Sequence, residues 1–269
     1  MKPRYAFEVP VYADCISPDV FAGKSLEEIS ALGILEGNKQ RVLRDVFDIQ
    51  FEVENPQEGI TIEIGGDLRK VRMIGAKMSH GRIVVEGDAG MHLGELMTGG
   101  EIVVNGSVDS WAGCMMEGGR IKVTGSAGDY VGAPYRGSTR GMKDGKIVIH
   151  GDAGNEVGCR MRGGIIKVDG NVGDFAGIHM TDGTIFVQGD CTGRAGAGML
   201  DGKIVISGRV PAVLPTFAVD SIRSDTRIEG ERVVGPFYCF VGDIADNGKG
   251  KLFVSKAKNL HLSSCEKYL

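Results

Sequence analysis

Between residues 59 and 208 the apolar positions fall into columns. Ile83, Ile102, Ile121, Ile147, Ile166, Ile185 and Ile204 form one column. Two residues after each stands Val85, Val104, Val123, Ile149, Val168, Val187 or Ile206. Five residues before each isoleucine lies Met78, Met97, Met116, Met142, Met161, Met180 or Met199. Glycines frame every copy, and the unit reads Gly-x-x-Met-x-x-Gly-x-Ile-x-Val-x-Gly. It recurs every 19 residues except for one interval of 26, which carries an insertion of seven. In that fourth copy Thr139 stands where the leading glycine is expected.

Ile-x-Val alternates with period two and is β-branched, so each copy predicts a short strand with those side chains on one face. A strand that returns every 19 residues in the same direction pairs in parallel with its own copy. The intervening residues form a crossover, which is right-handed in nearly all such connections. The predicted fold is therefore all-β: a right-handed parallel β-helix of about seven to eight coils, spaced ~4.8 Å apart. Residues 59 to 78 read as a degenerate first coil, with Ile62 and Ile64 in the Ile-x-Val positions. Leucine-rich repeats, calcium-binding nonapeptides and propeller blades all fail on period or on residue type.

The ends do not repeat. Residues 1–58 and 209–269 hold eight of the ten phenylalanines and read as N- and C-terminal caps on the repeats of 59–208, the three forming one unit. A solenoid needs such caps, because its last rungs expose unpaired backbone and a core face. Ser25-Leu26-Glu27-Glu28 is a capping box that opens a short helix through Leu32, stopped by Gly33. Residues 47–53 alternate and predict a strand feeding the first coil. Residues 237–241 and 251–254 predict cap strands.

Composition sharpens this picture. Glycine makes 43 of the 269 residues, and 35 of those lie in the repeat region. The net charge of −4 gives no overall field for nucleic acid. No apolar run reaches the ~18 residues of a membrane span, and the N-terminus lacks a secretory core, which predicts a cytoplasmic chain. Cys15, Cys114, Cys159, Cys191, Cys239 and Cys265 are scattered with no Cys-x-x-Cys pair, so no local zinc or iron–sulfur motif exists. Free thiols are expected. Cys114 and Cys159 share a column with one complete coil between them, ~9–10 Å apart, too far to bridge. There is no Walker loop, and His80, His92, His150, His179 and His261 show no metal-ligand spacing. Asp88, Asp152 and Asp190 share a column, but Ser107, Ser126, Asn171 and Arg209 interrupt it, unlike the clustered aspartates of a polysaccharide-cleaving β-helix. No catalytic, cofactor-binding or metal-ligating residue can be assigned.

Two features suggest partners. Between the inward Ile and Val of each copy lies an outward residue, and five of these are apolar: Val84, Val103, Val148, Phe186 and Val205. A contiguous exposed apolar stripe usually marks an interface. The single insertion, spanning residues 133–141, carries Tyr135, Arg136 and Arg140. Insertions in solenoids emerge as loops on one face, often the binding face.

Residues 17–29 (Ser-Pro-Asp-Val-Phe-Ala-Gly-Lys-Ser-Leu-Glu-Glu-Ile), Gly37-Asn38-Lys39 and Asp45-Val46-Phe47-Asp48-Ile49, together with the seven repeats, resemble the C subunit of formylmethanofuran dehydrogenase. The repeat alone is also similar to the C-terminal β-helix of glutamate synthase, and a sister C subunit exists in the formyltransferase/hydrolase complex of methylotrophic bacteria. The resemblance implies a scaffold subunit of a cytoplasmic complex that reduces CO2 and attaches the formyl group to methanofuran in methanogenic archaea. It implies no cofactor in this chain. The partners it implies carry a tungsto- or molybdopterin centre, iron–sulfur clusters and a metal-dependent amidohydrolase-like site. Tyr135, Arg136 and Arg140 then become candidate contacts to an acidic partner surface or to the glutamyl tail of methanofuran, since guanidinium forks suit carboxylates. The alternatives are the sister C subunit and a stand-alone carbohydrate-active β-helix.

Overall fold

The computed structural model describes residues 1–50 and 59–269. Its centre is a parallel β-solenoid of eight coils, as the repeat predicts. Their strands are Thr61–Gly65, Arg82–Glu86, Thr98–Val104, Glu117–Val123, Asp144–Ile149, Arg162–Val168, Asp182–Val187 and Lys203–Ile206, here coils 1 to 8. They pair in sequence order with the isoleucines in register: Ile62 with Ile83, Ile83 with Ile102, Ile102 with Ile121, and so on to Ile185 with Ile204. The inward columns are dry. Ile83 to Ile204 and Met78 to Met199 all have zero exposure.

Identical residues stacked at one spacing also satisfy the polar corners. The interrupted aspartate column is one example. Asp88 accepts from the backbone N–H of Ser107 at 2.8 Å, and Ser107 Oγ from that of Ser126 at 3.1 Å. Ser126, Asp152, Asn171 and Asp190 continue the pattern, each taking the N–H one coil further on. Asp, Asn and Ser are interchangeable here because each offers one short acceptor.

The framing glycines have two separate causes. Gly119 sits at φ +82°, and a Cβ there would stand 2.7 Å from Met97 Cε. Its neighbour Gly118 has ordinary φ, but its Cβ would collide with the Thr98 carbonyl of the preceding coil.

The caps extend the same core. At the C-terminal end, Gly250–Ser255 pairs in parallel with Lys203–Ile206, placing Leu252 beside Ile204 and Val254 beside Ile206. A ninth rung is thus supplied from outside the repeat. Glu231–Gly242 pairs antiparallel with that strand, and Ala218–Ile228 with Glu231–Gly242. At the N-terminal end, Val11–Tyr12 joins Val71–Arg72 of the first coil, and Phe7, Val11, Ile16, Ile29, Leu43 and Phe47 merge with the solenoid core. The capping box is present: Ser25 Oγ accepts from Glu28 N–H at 3.3 Å and the Glu28 carboxylate accepts from Ser25 N–H at 2.8 Å. Its helix spans Leu26–Ser30, two residues shorter than expected. The expected strand over 47–53 is seen at Phe47–Asp48, paired with Lys2–Pro3; Phe51 to Val53 lie outside the described residues.

The expected outer stripe needs correction. Phe186 and Val205 are 9% and 0% exposed, because the hairpin of Ala218–Ile228 and Glu231–Gly242 folds back over them. They pack with Ile228, Phe237, Cys239 and Phe253 in a second, smaller core. Near the hairpin tip Glu229 pairs with Lys146, and Lys203 Nζ donates to Arg227 O at 3.0 Å. Val148, in the same coil as Lys146, is also buried. Only Val84 and Val103 of the stripe stay half-exposed. Phe186 and Val205 are thus answered by the chain's own hairpin.

Candidate functional site

The insertion opens inside one corner of the solenoid. In most coils that corner closes with a hydrogen bond from the methionine N–H to the leading glycine carbonyl, as in Met116 to Gly113 and Met161 to Gly158, both 3.1 Å. Met142 makes the same bond to Gly132 at 2.9 Å. The leading glycine of the fourth copy is therefore Gly132, at φ +69° like its counterparts, and Thr139 lies within the loop. Residues 133–141 bulge out between the glycine and its methionine without disturbing either neighbour.

The loop does not hang free. Tyr135 Oη donates to Glu95 Oε2 at 2.5 Å, and its ring stacks on His92 at 5.3 Å. His92 stacks on Trp111 at 5.4 Å and 9°, and Trp111 on Tyr130 at 4.5 Å and 16°. His92, Trp111 and Tyr130 are successive members of one column, five residues after the repeat glycine, and all sit at positive φ. The next members are Glu156, Phe175 and Arg194, with the Arg194 guanidinium 5.1 Å over the Phe175 ring. Pro134, Tyr135, Arg136 and Ser138 of the loop, with Trp111, Tyr130, Glu156, Cys159 and Arg160, enclose a cavity of about 190 Å³.

Tyr135 and Arg136 of the expected trio therefore reach this cavity. Arg140 does not line it, and Arg160 of the neighbouring coil takes its place. Arg136 and Arg160 stand beside stacked rings with no carboxylate within ion-pair distance among the described residues. Sequence reasoning missed the aromatic column. Its signal is the 19-residue spacing of His92, Trp111 and Tyr130 around the chain's one tryptophan.

Burial alone pushes the Glu95 carboxyl up. The His92 nitrogen and Tyr135 hydroxyl beside it, with His92 and Lys77 charge, more than offset that and leave it below the usual carboxylate range. Burial and the Glu95 carboxylate hold the Tyr135 phenol above its ordinary value. Burial pushes the Cys114 and Cys159 thiols to about 12, so neither is a thiolate nucleophile at neutral pH. All six cysteines are unpaired, as expected.

A coil-stacked parallel solenoid with an ordered insertion loop defines a class, that of β-helix repeat proteins. No family model matches the chain. It belongs to the family of formylmethanofuran dehydrogenase C subunits, since it is 57% identical over 263 residues to the C subunit of the tungsten-containing formylmethanofuran dehydrogenase 2 of Methanothermobacter thermautotrophicus, covering 97% of both chains. The C subunit of the molybdenum-containing formylmethanofuran dehydrogenase 1 of that organism is 44% identical over 94 residues, or 35% of this chain. That match spans about a quarter (23%) of the molybdenum relative's own length. Among solved structures, a chain of the formyltransferase/hydrolase complex of Methylorubrum extorquens, crystallised with methylofuran, superposes with a TM-score of 0.84 at 31% identity. The superposition covers 94% of this chain and 98% of that one. No helix among the described residues is long and apolar enough to cross a membrane.

Proposed function

We propose that this chain is the scaffold and docking component of a cytoplasmic formylmethanofuran dehydrogenase complex, with no reaction centre of its own. In this reading the partner subunits reduce CO2 at a tungsto- or molybdopterin with electrons from iron–sulfur clusters. An amidohydrolase-like partner then attaches the formyl group to methanofuran. The observation that carries the reading is the end-to-end match at 57% identity, caps and repeats together. It is preferred over the formyltransferase/hydrolase complex because that likeness is 31% identical. The residues of this chain suit the role. Its sequence has no local cluster motif, its thiols near the cavity are held protonated, and its polar columns are spent on backbone N–H groups one coil away.

The docking surfaces in this reading are the loop face, with Tyr135, Arg136 and Arg140, and the half-exposed Val84 and Val103. The loop arginines contact an acidic partner surface or the glutamyl tail of methanofuran. Co-expression of the complex with and without this chain tests the proposal. The catalytic subunits should assemble only when it is present. Full assembly and full activity without it would defeat the scaffold role.

A further inference from the structure

We propose that His92, Glu95 and Cys114 form a binding site for one zinc-type divalent ion beneath the insertion loop. One donor atom from each, a ring nitrogen, a carboxylate oxygen and a thiol sulfur, lies within 4.8 Å of the other two. Glu95 and Cys114 are 4% and 0% exposed, and the His92 side chain is 16% exposed. Sequence spacing hides the cluster, because Cys114 lies one coil beyond Glu95 in the same column.

That column explains why the site calls for a cation. Its other members are Ala76, Ala133, Cys159, Ile178 and Ala197, so Glu95 is a carboxylate in a run of small or apolar side chains. A buried carboxylate is costly unless a cation and hydrogen bonds compensate it. Tyr135 and the neighbouring charges offset that cost, but polar atoms are left over. His92 Nδ1 is 2.9 Å from Glu95 Oε2 but out of line for a hydrogen bond, and it is a buried nitrogen without a partner. Tyr135 falls on the same oxygen, Oε2, and no side chain among the described residues reaches Oε1.

The donor set selects the ion. Nitrogen, sulfur and carboxylate oxygen together suit zinc rather than magnesium or calcium, which take oxygen alone. Zinc bond lengths hold tetrahedral ligand atoms roughly 3.3–3.6 Å apart, so separations that reach up to 4.8 Å must close by as much as an ångström, while the 2.9 Å between His92 Nδ1 and Glu95 Oε2 must open slightly. Three protein ligands leave a fourth position for water. Binding displaces the Cys114 thiol proton to solvent and leaves a thiolate on the metal. Trp111, stacked on His92, fixes the ring orientation, and Tyr135 holds the carboxylate from outside, as outer-shell partners do in metal sites.

The test uses the full chain purified free of its partners, whose own metals would mask the count. It is stripped with chelator, dialysed against zinc, desalted and assayed for metal by atomic emission, with cobalt(II) as a spectroscopic substitute. The expected result is about one zinc per chain and a thiolate-to-cobalt charge-transfer band in the near ultraviolet. Cys114→Ser should lose the band, and His92→Gln should bind zinc roughly tenfold or more weakly. Cys159→Ser, in the same column but outside the cluster, should retain both. A wild-type chain that takes up no zinc, or a cobalt spectrum without the thiolate band, overturns the site. So does full binding in Cys114→Ser. Should that variant fail to fold, the wild-type zinc content and cobalt spectrum still decide.

Discussion

Tyr135, inside the one insertion of the repeat, donates a 2.5 Å hydrogen bond to Glu95, which lies 40 residues earlier in the chain. The bond skips a coil and ties the loop to a buried carboxylate. It turns a tolerated surface insertion into an ordered wall of the cavity beside Trp111 and Tyr130. A wall fixed before binding spares the ordering entropy that a mobile loop would lose.

Removing that hydroxyl alone should loosen the loop. Tyr135→Phe keeps the ring on His92 and deletes the bond. Hydrogen bonds to charged groups are worth roughly 1.5–3 kcal/mol, and with Tyr135 42% exposed the low end or less is expected. Amide exchange of residues 134–141 should quicken while the coil strands keep their protection. Unaltered exchange in the loop would show that the bond holds nothing in place.

The same contact sets a pH dependence. Glu95 is held below its ordinary value of 4.5 in the folded chain. Its contribution is therefore complete above the unfolded value and is lost as pH falls through the folded one. The stability gap between wild type and Glu95→Gln should be largest near neutral pH and shrink as pH falls below the ordinary carboxylate value of 4.5. A gap that widens on acidification would reverse the assignment. The wild-type chain should be compared free of added metal, so that only the proton is varied.

The corner glycines and the methionine column carry the fold. Met161 has zero exposure, and Met161→Ala should cost about 2–5 kcal/mol by chemical denaturation. Ile121→Asp or Met161→Asp should prevent folding, since an unpaired carboxylate would lie in the dry core. Gly118→Ala should also destabilise, because its Cβ meets the Thr98 carbonyl and backbone cannot swing aside as a side chain can. A soluble, normally stable Met161→Asp chain would break the inward register.

Phe186 tests the hairpin. It is packed with Phe237, Ile228 and Phe253 rather than facing a partner. Phe186→Glu should therefore detach the hairpin and lower the chain's own stability by about 3 kcal/mol or more, seen in the isolated chain by denaturation and by faster proteolysis near residue 229. An isolated variant as stable as wild type would return Phe186 to the role of an exposed contact.

How much of this is legible in the sequence follows from what repeats. The Ile, Val and Met columns and the framing glycines reveal period, register and core, because stacking imposes one environment on each column. The hairpin over Phe186 and Val205 is not legible: long-range packing of a non-repeating end leaves no period to read. The insertion is read where the structure has it, at 133–141, but the leading glycine of its copy is misread. Counting back from Met142 lands on Thr139, whereas the bond from Met142 to Gly132 shows the coil closing around the loop. The Asp88–Asp190 column looks broken in the sequence because its residue types vary. Its function, accepting one N–H per coil, tolerates that variation.

The loop arginines separate by geometry. Arg136 and Arg160 line the cavity and Arg140 does not. If the loop face docks an acidic partner, Arg136→Ala with Arg160→Ala should weaken assembly more than Arg136→Ala with Arg140→Ala. The difference should be largest at low salt, where exposed charges are least screened. Equal effects would move the contact from the cavity to the loop tip.

The most direct test of the scaffold role is native recovery of the tagged chain from its own cells, with mass determination and identification of whatever travels with it. The account predicts one large assembly that carries tungsten or molybdenum and iron–sulfur subunits in fixed ratio to this chain. A species of 28.6 kDa running alone, with the dehydrogenase activity in other fractions, would contradict it.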